Sequence, residues 1–405
     1  MRLSYNKLIQ YDLLDDAEAN LTNNQEKFFE FFTTFQNVIA ADRFIRDCPS
    51  FPDSNKTIIR DELVSAIGST LAIEGIVIKE EEIREAIQKP VLTANLQRKQ
   101  QEALNSRNVY GYIINTVNTV ILERKGEFVY KDDYVRNIHR LFTENINYIG
   151  SQPGAYRNTS TSFGDLRKVS LCQNYPDIYK AMNNYINWLN QKKEGILTNN
   201  IIAKAIMSHY YLTEIHPFGD GNGRTARAVE AMVLYANGIN PYCFWSLANF
   251  WSARRNEYIA HLGNIRETCD PLDFLIWGAK GYLGEVERIK GAVLKKLKYL
   301  MLRDYVSWLL KTKKQQKPEK KINERIRSLM FLLTDSGKIP LDKFRASSEY
   351  ESLYLHESSS TKSRDLSKMK LLTLDLIRIS IVDGKEFIEP NYDVLERLEY
   401  RPPVF

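Results

Sequence analysis

His216-Pro217-Phe218-Gly219-Asp220-Gly221-Asn222-Gly223-Arg224-Thr225-Ala226-Arg227 lies between two apolar-periodic runs. Upstream, Ile201, Ile202, Ala205, Ile206, Tyr210, Leu212 and Ile215 recur at helical spacing. Downstream, a second run opens at Arg224 and continues through Val229, Met232, Val233 and Tyr235 to Gly238, a residue suited to cap a helix C-terminus. The stretch from Gly219 to Gly223 holds too much glycine for helix or strand. The sequence therefore predicts a glycine-rich loop feeding the N-terminus of a buried helix, between two core helices.

That arrangement has a chemistry. The first turn of a helix offers unpaired N–H groups and the positive end of the macrodipole. Glycines let the backbone approach a ligand closely. The two together make an anion cradle, above all for phosphate. Arg224 and Arg227 stand three apart, on one side of that turn, and each offers a planar fork of donors. Asp220 is a hard oxygen ligand of the kind Mg²⁺ uses beside a polyphosphate. His216 is placed to act as a general base at neutral pH. Singly, each reads as well as a plain turn, a core histidine or a solvated helix face. Together they describe a site for phosphoryl or nucleotidyl transfer.

Residues 216–227 resemble the signature of the Fic family, H-x-F-x-[DE]-G-N-G-R-x-x-R, at every fixed position. The resemblance implies a mostly helical fold and transfer of AMP from ATP to a Ser, Thr or Tyr hydroxyl of a target protein. Carried onto this chain, it implies that His216 deprotonates the target hydroxyl and that Phe218 packs under the loop. It implies Asp220 as the Mg²⁺ ligand, Gly221, Asn222 and Gly223 as the phosphate cradle, and Arg224 and Arg227 on the β- and γ-phosphates. The related Doc kinases carry lysine where this chain has Gly221, which favours adenylylation over phosphorylation.

A second stretch bears on the first. Ile58, Ile59, Leu63, Ile67 and Leu71 predict a helix ended by Gly75, with Glu74 in its last turn and Thr70 one turn back, within reach of Glu74. A carboxylate at the negative end of the helix dipole is unfavourable by about 0.3–1 kcal/mol, so a cationic partner would offset it. Thr70-Leu71-Ala72-Ile73-Glu74-Gly75 resembles the Fic inhibitory motif, [ST]-x-x-x-E-[GN]. The resemblance implies that Glu74 pairs with Arg227 in the place of the γ-phosphate and holds the enzyme back, in the class with an N-terminal inhibitory helix.

The rest of the 405-residue chain is expected to be mainly α: a Fic-type helical core with a short β-hairpin flap, and a C-terminal winged-helix-like domain. The expected divisions are 1–125, an N-terminal helical region with the inhibitory helix at about 57–75; 126–290, the catalytic core; 291–321, a helix and basic linker; and 322–405. Ser4 to Asp16 reads as an extended arm and 25–46 as a helix broken at Cys48 to Pro52. Residues 79–90 are charged and end at Lys89-Pro90. Residues 92–124, 131–146 and 179–189 read as further helices; His139, on the second of these, reads as packed or capping. Residues 154–172 resemble the Fic flap, a hairpin that pins a target segment by strand addition. Pro241 to Trp251 is aromatic-rich; in the family the region after it borders adenine and ribose, which makes Asn256 and Tyr258 nucleotide contacts, with a core aromatic the equal alternative for Tyr258. A helix is expected from Leu272 to about Lys298, then a charge run from Lys311 to Lys321.

Beyond it, 322–334 and 361–376 read as helices around the short extended piece Lys338-Ile339-Pro340, and Ile377 to Ile388 as a hairpin turning at Asp383-Gly384. Lys362, Arg364, Lys368 and Lys370 would suit a DNA-reading helix, but Asp365, Asp375 and Glu386 dilute that charge and favour a protein-docking or dimerising wing over DNA. A net charge of +6 is too weak by itself to imply nucleic acid. Four scattered cysteines read as reduced thiols in a cytoplasm, and the N-terminus lacks the apolar run of a signal peptide. No stretch approaches the length of apolar chain that a membrane span needs. The expectation is thus an autoinhibited, Mg²⁺-dependent protein adenylyltransferase using ATP, with a target protein on the 154–172 flap and with self-modification and a homodimer left open. The alternatives are a Fic-fold enzyme that moves another phosphate-containing group or runs in reverse, and a DNA-binding regulator with a nucleotide-sensing core.

Overall fold

The computed structural model describes residues 2–48, 52–88, 97–124, 126–148, 151–163, 168–240, 243, 247–311, 317–370 and 375–396. The Pro49–Phe51 break, Lys89-Pro90, the start of the 92–124 helix, the centre of the 154–172 segment, most of 241–246 and residues 312–316 of the 311–321 charge run lie outside the described residues. The chain divides into two compact units, Met1–Lys290 and Gly291–Phe405.

Among the described residues, the regular structure of the first unit is helical but for one small hairpin. Its helices are α1 (Tyr5–Leu8), α2 (Leu13–Thr22), α3 (Gln25–Asp47), α4 (Pro52–Ile73), α5 (Glu80–Gln88), α6 (Arg98–Glu123) and α7 (Asp132–Thr143). After strands β1 (Ser162–Phe163) and β2 (Lys168–Val169) come α8 (Tyr175–Asn190), α9 (Ile201–Ile215), α10 (Asn222–Ala236), α11 (Ala248–Ala253) and α12 (Arg255–Thr268). The long α13 (Leu272–Lys311) follows. The expected extended arm is not extended. The Ser4 side chain caps α1, and Leu8, Leu14, Ala17 and Leu21 are fully or almost fully buried. Within α2 the steps of three and four residues from Leu14 to Ala17 to Leu21 make a helical stripe that the polar composition of the segment hides. Helix α13 likewise runs to Lys311, past the expected end near Lys298.

At the centre, α9 and α10 pack against each other. The Asn200 side chain opens α9 by accepting the N–H groups of Ile202 and Ala203, both at 3.0 Å. Helix α9 then buries most of its surface, including Tyr210, Tyr211 and Leu212, which places it inside the core rather than upon it. Helix α10 begins at Asn222, two residues before the expected Arg224, and ends on Gly238 as expected. There the N–H of Ile239 reaches the carbonyl of Leu234 and that of Gly238 reaches Tyr235, both at 3.0 Å, with Gly238 left-handed at φ 76°. Helices α6 and α7, which flank the expected boundary at 125/126, both pack against α10.

The second unit holds α14 (Lys317–Ser336), β3 (Ile339–Pro340), α15 (Leu341–Arg345), α16 (Ser348–Leu353), α17 (Ser359–Lys370), β4 (Ile377–Val382), β5 (Lys385–Pro390) and a 3-10 turn, Tyr392–Leu395. Its antiparallel sheet has the order β3-β5-β4, with Ile339 opposite Ile388 and Val382 opposite Lys385. Asp383 (φ 50°) and Gly384 (φ 74°) form the two-residue turn expected of a hairpin with two left-handed positions. Leu302 and Val306 of α13 join Leu329 and Leu333 of α14, Phe344, Met369 and Ile388 in one buried cluster.

Candidate active site

The loop joining α9 to α10 is built by side chains from four helices. His216 closes α9 in the left-handed region, at φ 50°, with its N–H on the Leu212 carbonyl at 3.1 Å. That conformation is uncommon for a residue with a Cβ and holds only where its surroundings fix it. The His216 Nδ1 lies 3.3 Å from the Thr213 carbonyl. A carbonyl can only accept, so Nδ1 carries the proton and Nε2 the lone pair. Burial pushes the imidazole pKa down to about 4; Thr213 and Glu74 pull it up, and Arg157 adds to the fall. The ring is a neutral base at physiological pH.

Phe218 is fully buried and stacks on His139, with ring centroids 3.8 Å apart and planes 4° apart. His139 is packed, as expected, but it also braces the loop. Its Nδ1 accepts the Gly154 N–H and its Nε2 donates to the Asp220 carbonyl, both at 3.0 Å. Asn222 closes the turn from the other side: its Oδ1 accepts the Phe218 N–H and its Nδ2 donates to the Phe218 carbonyl, both at 2.9 Å. Gly221 takes φ 75°, which suits glycine. Phe218 is thus the floor of the loop, and Asn222 shapes it through its side chain.

Glu74 lies over the start of α10. The segment enters through a Schellman turn at the end of α4: the N–H of Ile76 bonds the Leu71 carbonyl, that of Gly75 bonds Ala72, and Gly75 is left-handed at φ 78°. Helix α4 ends at Ile73, so Glu74 is its cap residue rather than a member of the last turn. Glu74 Oε1 stands 2.6 Å from Arg227 Nη2. It is only 2.5 Å from the position a Cβ on Gly223 would occupy. A carboxylate therefore fills the mouth of the helix N-terminus, where only glycine leaves it room. Burial alone would raise the Glu74 pKa, but Arg227, Arg224 and His216 outweigh it and the net shift is downward. Thr70 turns to Arg227 instead of Glu74: its Oγ1 accepts from Nε at 2.8 Å and its carbonyl from Nη2 at 3.2 Å.

Arg224 is almost fully buried and held from behind. Its Nη1 donates to Glu102 Oε2 at 3.0 Å and to the Tyr148 hydroxyl, while its Nη2 faces Asp220 Oδ1 at 3.3 Å. Arg98, 3.1 Å from the second Glu102 oxygen, and Arg224 lie 5.1 and 4.9 Å from the Tyr148 ring centre. Asp220 keeps a half-exposed carboxylate at the loop surface. Among the described residues no group of three or more His, Cys, Asp or Glu could hold a metal. A lone carboxylate fits Mg²⁺, which is held by one or two carboxylates plus substrate phosphates.

The 154–172 segment forms the hairpin, pairing Ser162 with Val169 and Phe163 with Lys168. Buried Arg157 ties its base to the loop. The Arg157 N–H reaches the Pro217 carbonyl at 2.9 Å, and Nε reaches the His216 carbonyl at 2.7 Å. Nη2 reaches Ser170 Oγ at 2.6 Å and the Cys172 carbonyl at 2.8 Å. A cleft of about 740 Å³ opens beside it, lined in part by Tyr148, Tyr156, Asn158, Thr159 and Gly219. Asn256 is exposed on the first turn of α12. Tyr258 is buried, with its hydroxyl 2.8 Å from His209 Nε2, and His209 Nδ1 is 2.7 Å from Glu230. The core placement, the alternative weighed for Tyr258, is the one observed.

His216, Asp220 to Arg224, Arg227, Thr70 and Glu74 are brought together. Sequence reading missed Glu102 and Tyr148, and did not foresee what Arg157 and His139 brace. The only local signal for Glu102 is Arg98 one turn earlier, which reads equally well as a surface pair.

Residues 130–234 match the model of the Fic/DOC family, a span that takes in the whole loop but not Glu74. Over 180 residues the chain is 27% identical to protein adenylyltransferase fic-1 of Caenorhabditis elegans, covering 44% of this chain and 32% of that protein. Over 125 residues it is 35% identical to protein adenylyltransferase Fic of Nematostella vectensis, covering 31% and 27%. The chain thus spans about a third of the length of these relatives. A solved fragment of C. elegans Fic-1 superimposes with a TM-score of 0.50 at 21% identity, over 64% of this chain and 72% of that one. A Fic domain-containing signalling protein from Bacteroides thetaiotaomicron gives 0.50 at 15% identity, over 65% and 96%. These two likenesses show a shared fold, and the stretch that matches the Fic/DOC family model, residues 130–234, holds the signature loop.

Proposed function

We propose that the protein is an adenylyltransferase that moves AMP from ATP to a hydroxyl of a target protein and is restrained by Glu74. The acceptor oxygen attacks the α-phosphorus, the bond to the β-phosphate oxygen breaks, and pyrophosphate leaves. His216 Nε2 takes the hydroxyl proton on its lone pair, since Nδ1 carries the ring's own proton toward the Thr213 carbonyl. The N–H groups at the start of α10, Arg224 and Arg227 stabilise charge on the phosphates. Asp220 would hold Mg²⁺, which when bound supplies further charge neutralisation at the phosphates. Asn256 borders the nucleoside end, and the hairpin offers an edge to which a target strand adds. The second unit, with its order of helix, strand, two short helices, helix and hairpin, reads as winged-helix-like.

The observation that carries the proposal is the carboxylate of Glu74 over Gly223 and against Arg227: the cradle already takes an anion. Glu74 and a γ-phosphate would compete for the same donors, which is how a carboxylate can restrain the reaction. The test is incubation with ATP labelled on its α-phosphate and, in parallel, with ATP labelled on its γ-phosphate, with a cell extract as the source of targets, comparing the native chain, Glu74→Gly and the double variant Glu74→Gly/His216→Ala. Label should appear with Glu74→Gly and vanish in the double variant. Label from the γ-phosphate instead, or label that survives loss of His216, overturns the proposal.

A further inference from the structure

The second unit presents a surface that the transfer reaction does not use. Helix α17 buries Thr361, Asp365, Leu366 and Met369 against the unit's core. Its solvent face is made of Ser359, Ser360, Ser363, Ser367, Arg364 and Lys370. Lys362 and Lys368 flank that face, one near the Tyr354 ring and the other 3.4 Å from Asn323. The helix holds one acidic residue, Asp365, and that residue is fully buried. It is neutralised by Arg325 at 2.8 Å, with the Tyr354 hydroxyl at 3.2 Å. Of the acids that dilute the charge in the sequence, the one on α17 itself is therefore withdrawn from the surface.

The serines matter as much as the cations. Serine is a weak helix former, and a face that needed only to be wetted would be more stable with alanine, glutamate or lysine. A face of short hydroxyl side chains instead lets a helix backbone come close to its partner. That is what entry into the major groove of a duplex requires, where serine can bond any base edge and arginine or lysine suits guanine and phosphate. The hairpin next to α17 carries Lys385 but also Asp383 and Glu386, all exposed. The assignment therefore rests on the helix and not on the hairpin.

We infer that α17 is a nucleic-acid-binding helix that takes duplex DNA, with Arg364 and Lys370 on phosphate or base edges and the serines lying against the groove. The inference is independent of the transferase reading, since it uses no residue of the first unit.

The test uses the full chain and a short labelled mixed-sequence duplex, with binding followed by fluorescence anisotropy from low to physiological salt. Arg364→Glu is compared with Lys343→Glu, an equal change of charge at an exposed position on α15. The native chain should bind, with affinity falling as salt rises. Arg364→Glu should weaken binding by about tenfold or more and lower the salt slope by about 1, while Lys343→Glu changes affinity by much less. Thermal melts of both variants separate this from misfolding. No binding at low salt overturns the inference. So does equal weakening by both variants, which would reduce the effect to net charge. Equally tight binding of polyglutamate would also overturn it, since it would make the face a site for acidic protein segments.

Discussion

Replacing Glu74 by glycine tests the central contact most directly. The pair it removes is a charge-assisted hydrogen bond, 2.6 Å from Glu74 Oε1 to Arg227 Nη2. The arginine side chain is 3% exposed and the glutamate 30%. Such bonds contribute about 1.5–3 kcal/mol net. The partial exposure of Glu74 argues against the larger values of a fully buried pair, in which the orphaned charge is stranded away from water. A ligand that needs Arg227 must first displace the carboxylate, so its apparent affinity is lowered by the same free energy. Glu74→Gly should then tighten binding of ATP with Mg²⁺ by about 10- to 150-fold. Glu74→Gln, which keeps a weaker hydrogen bond and loses the charge, should fall between. Stability should fall by no more than the same amount, about 1.5–3 kcal/mol, because Arg227 keeps its bonds to Thr70 and Gly75 keeps the Schellman geometry. Isothermal titration gives the affinities, and a thermal melt gives the control. Equal ATP affinity in native protein and Glu74→Gly would refute the reasoning even if labelling rates differed, because the argument is about a shared binding place.

Three further outcomes follow from the same geometry. Glu102→Ala leaves buried Arg224 without its carboxylate and should destabilise the fold by about 3–5 kcal/mol in urea melts, while Glu102→Gln should lose much less and chiefly raise KM for ATP by loosening Arg224. Phe218→Ala removes a fully buried ring stacked on His139 and should lower stability by about 3–5 kcal/mol, measured by calorimetry, with loss of turnover as the loop sags. The folded-state pKa of His216, about 4, lies below the ordinary value, so the neutral base persists as pH falls through 6.5 and is lost only near 4. The ATP-dependent labelling rate of Glu74→Gly should therefore be flat from about pH 5.5 to 8, and a limb near 6.5 would show that His216 is not buried as described.

The loop was legible in the sequence because its chemistry is contiguous. Base, cradle, carboxylate and both arginines fall within twelve residues of one turn, and Gly238 marks the far end of the second helix. Glu74 was legible only through a short motif, since nothing local says which cation, 153 residues on, it will meet. Glu102 was not legible at all. A glutamate on a long helix reads as a solvated residue until the packing of α6 against α10 buries it beside Arg224. The N-terminal segment was misread for the opposite reason. Its aspartates and asparagines set the composition, while the helical stripe Leu14, Ala17, Leu21 sets the structure. In the second unit the Asp383-Gly384 turn was plain, but the direction in which Asp365 points was not, and that direction decides the sign of a surface.

Arg157 makes the hairpin and the histidine into one rigid part. A single guanidinium spans from the His216 carbonyl to Ser170 and Cys172, so the gap between hairpin and imidazole is set by the length of a side chain and not by the slack of a loop. Any segment laid along that hairpin edge is therefore measured as on a ruler whose zero is His216. Under the proposed reaction, a hydroxyl at the right count of residues meets the base and its neighbours do not. Acceptor choice then becomes a matter of register, one strand step of about 3.3 Å at a time. Arg157, far from the phosphates in sequence, would be the residue that keeps the scale.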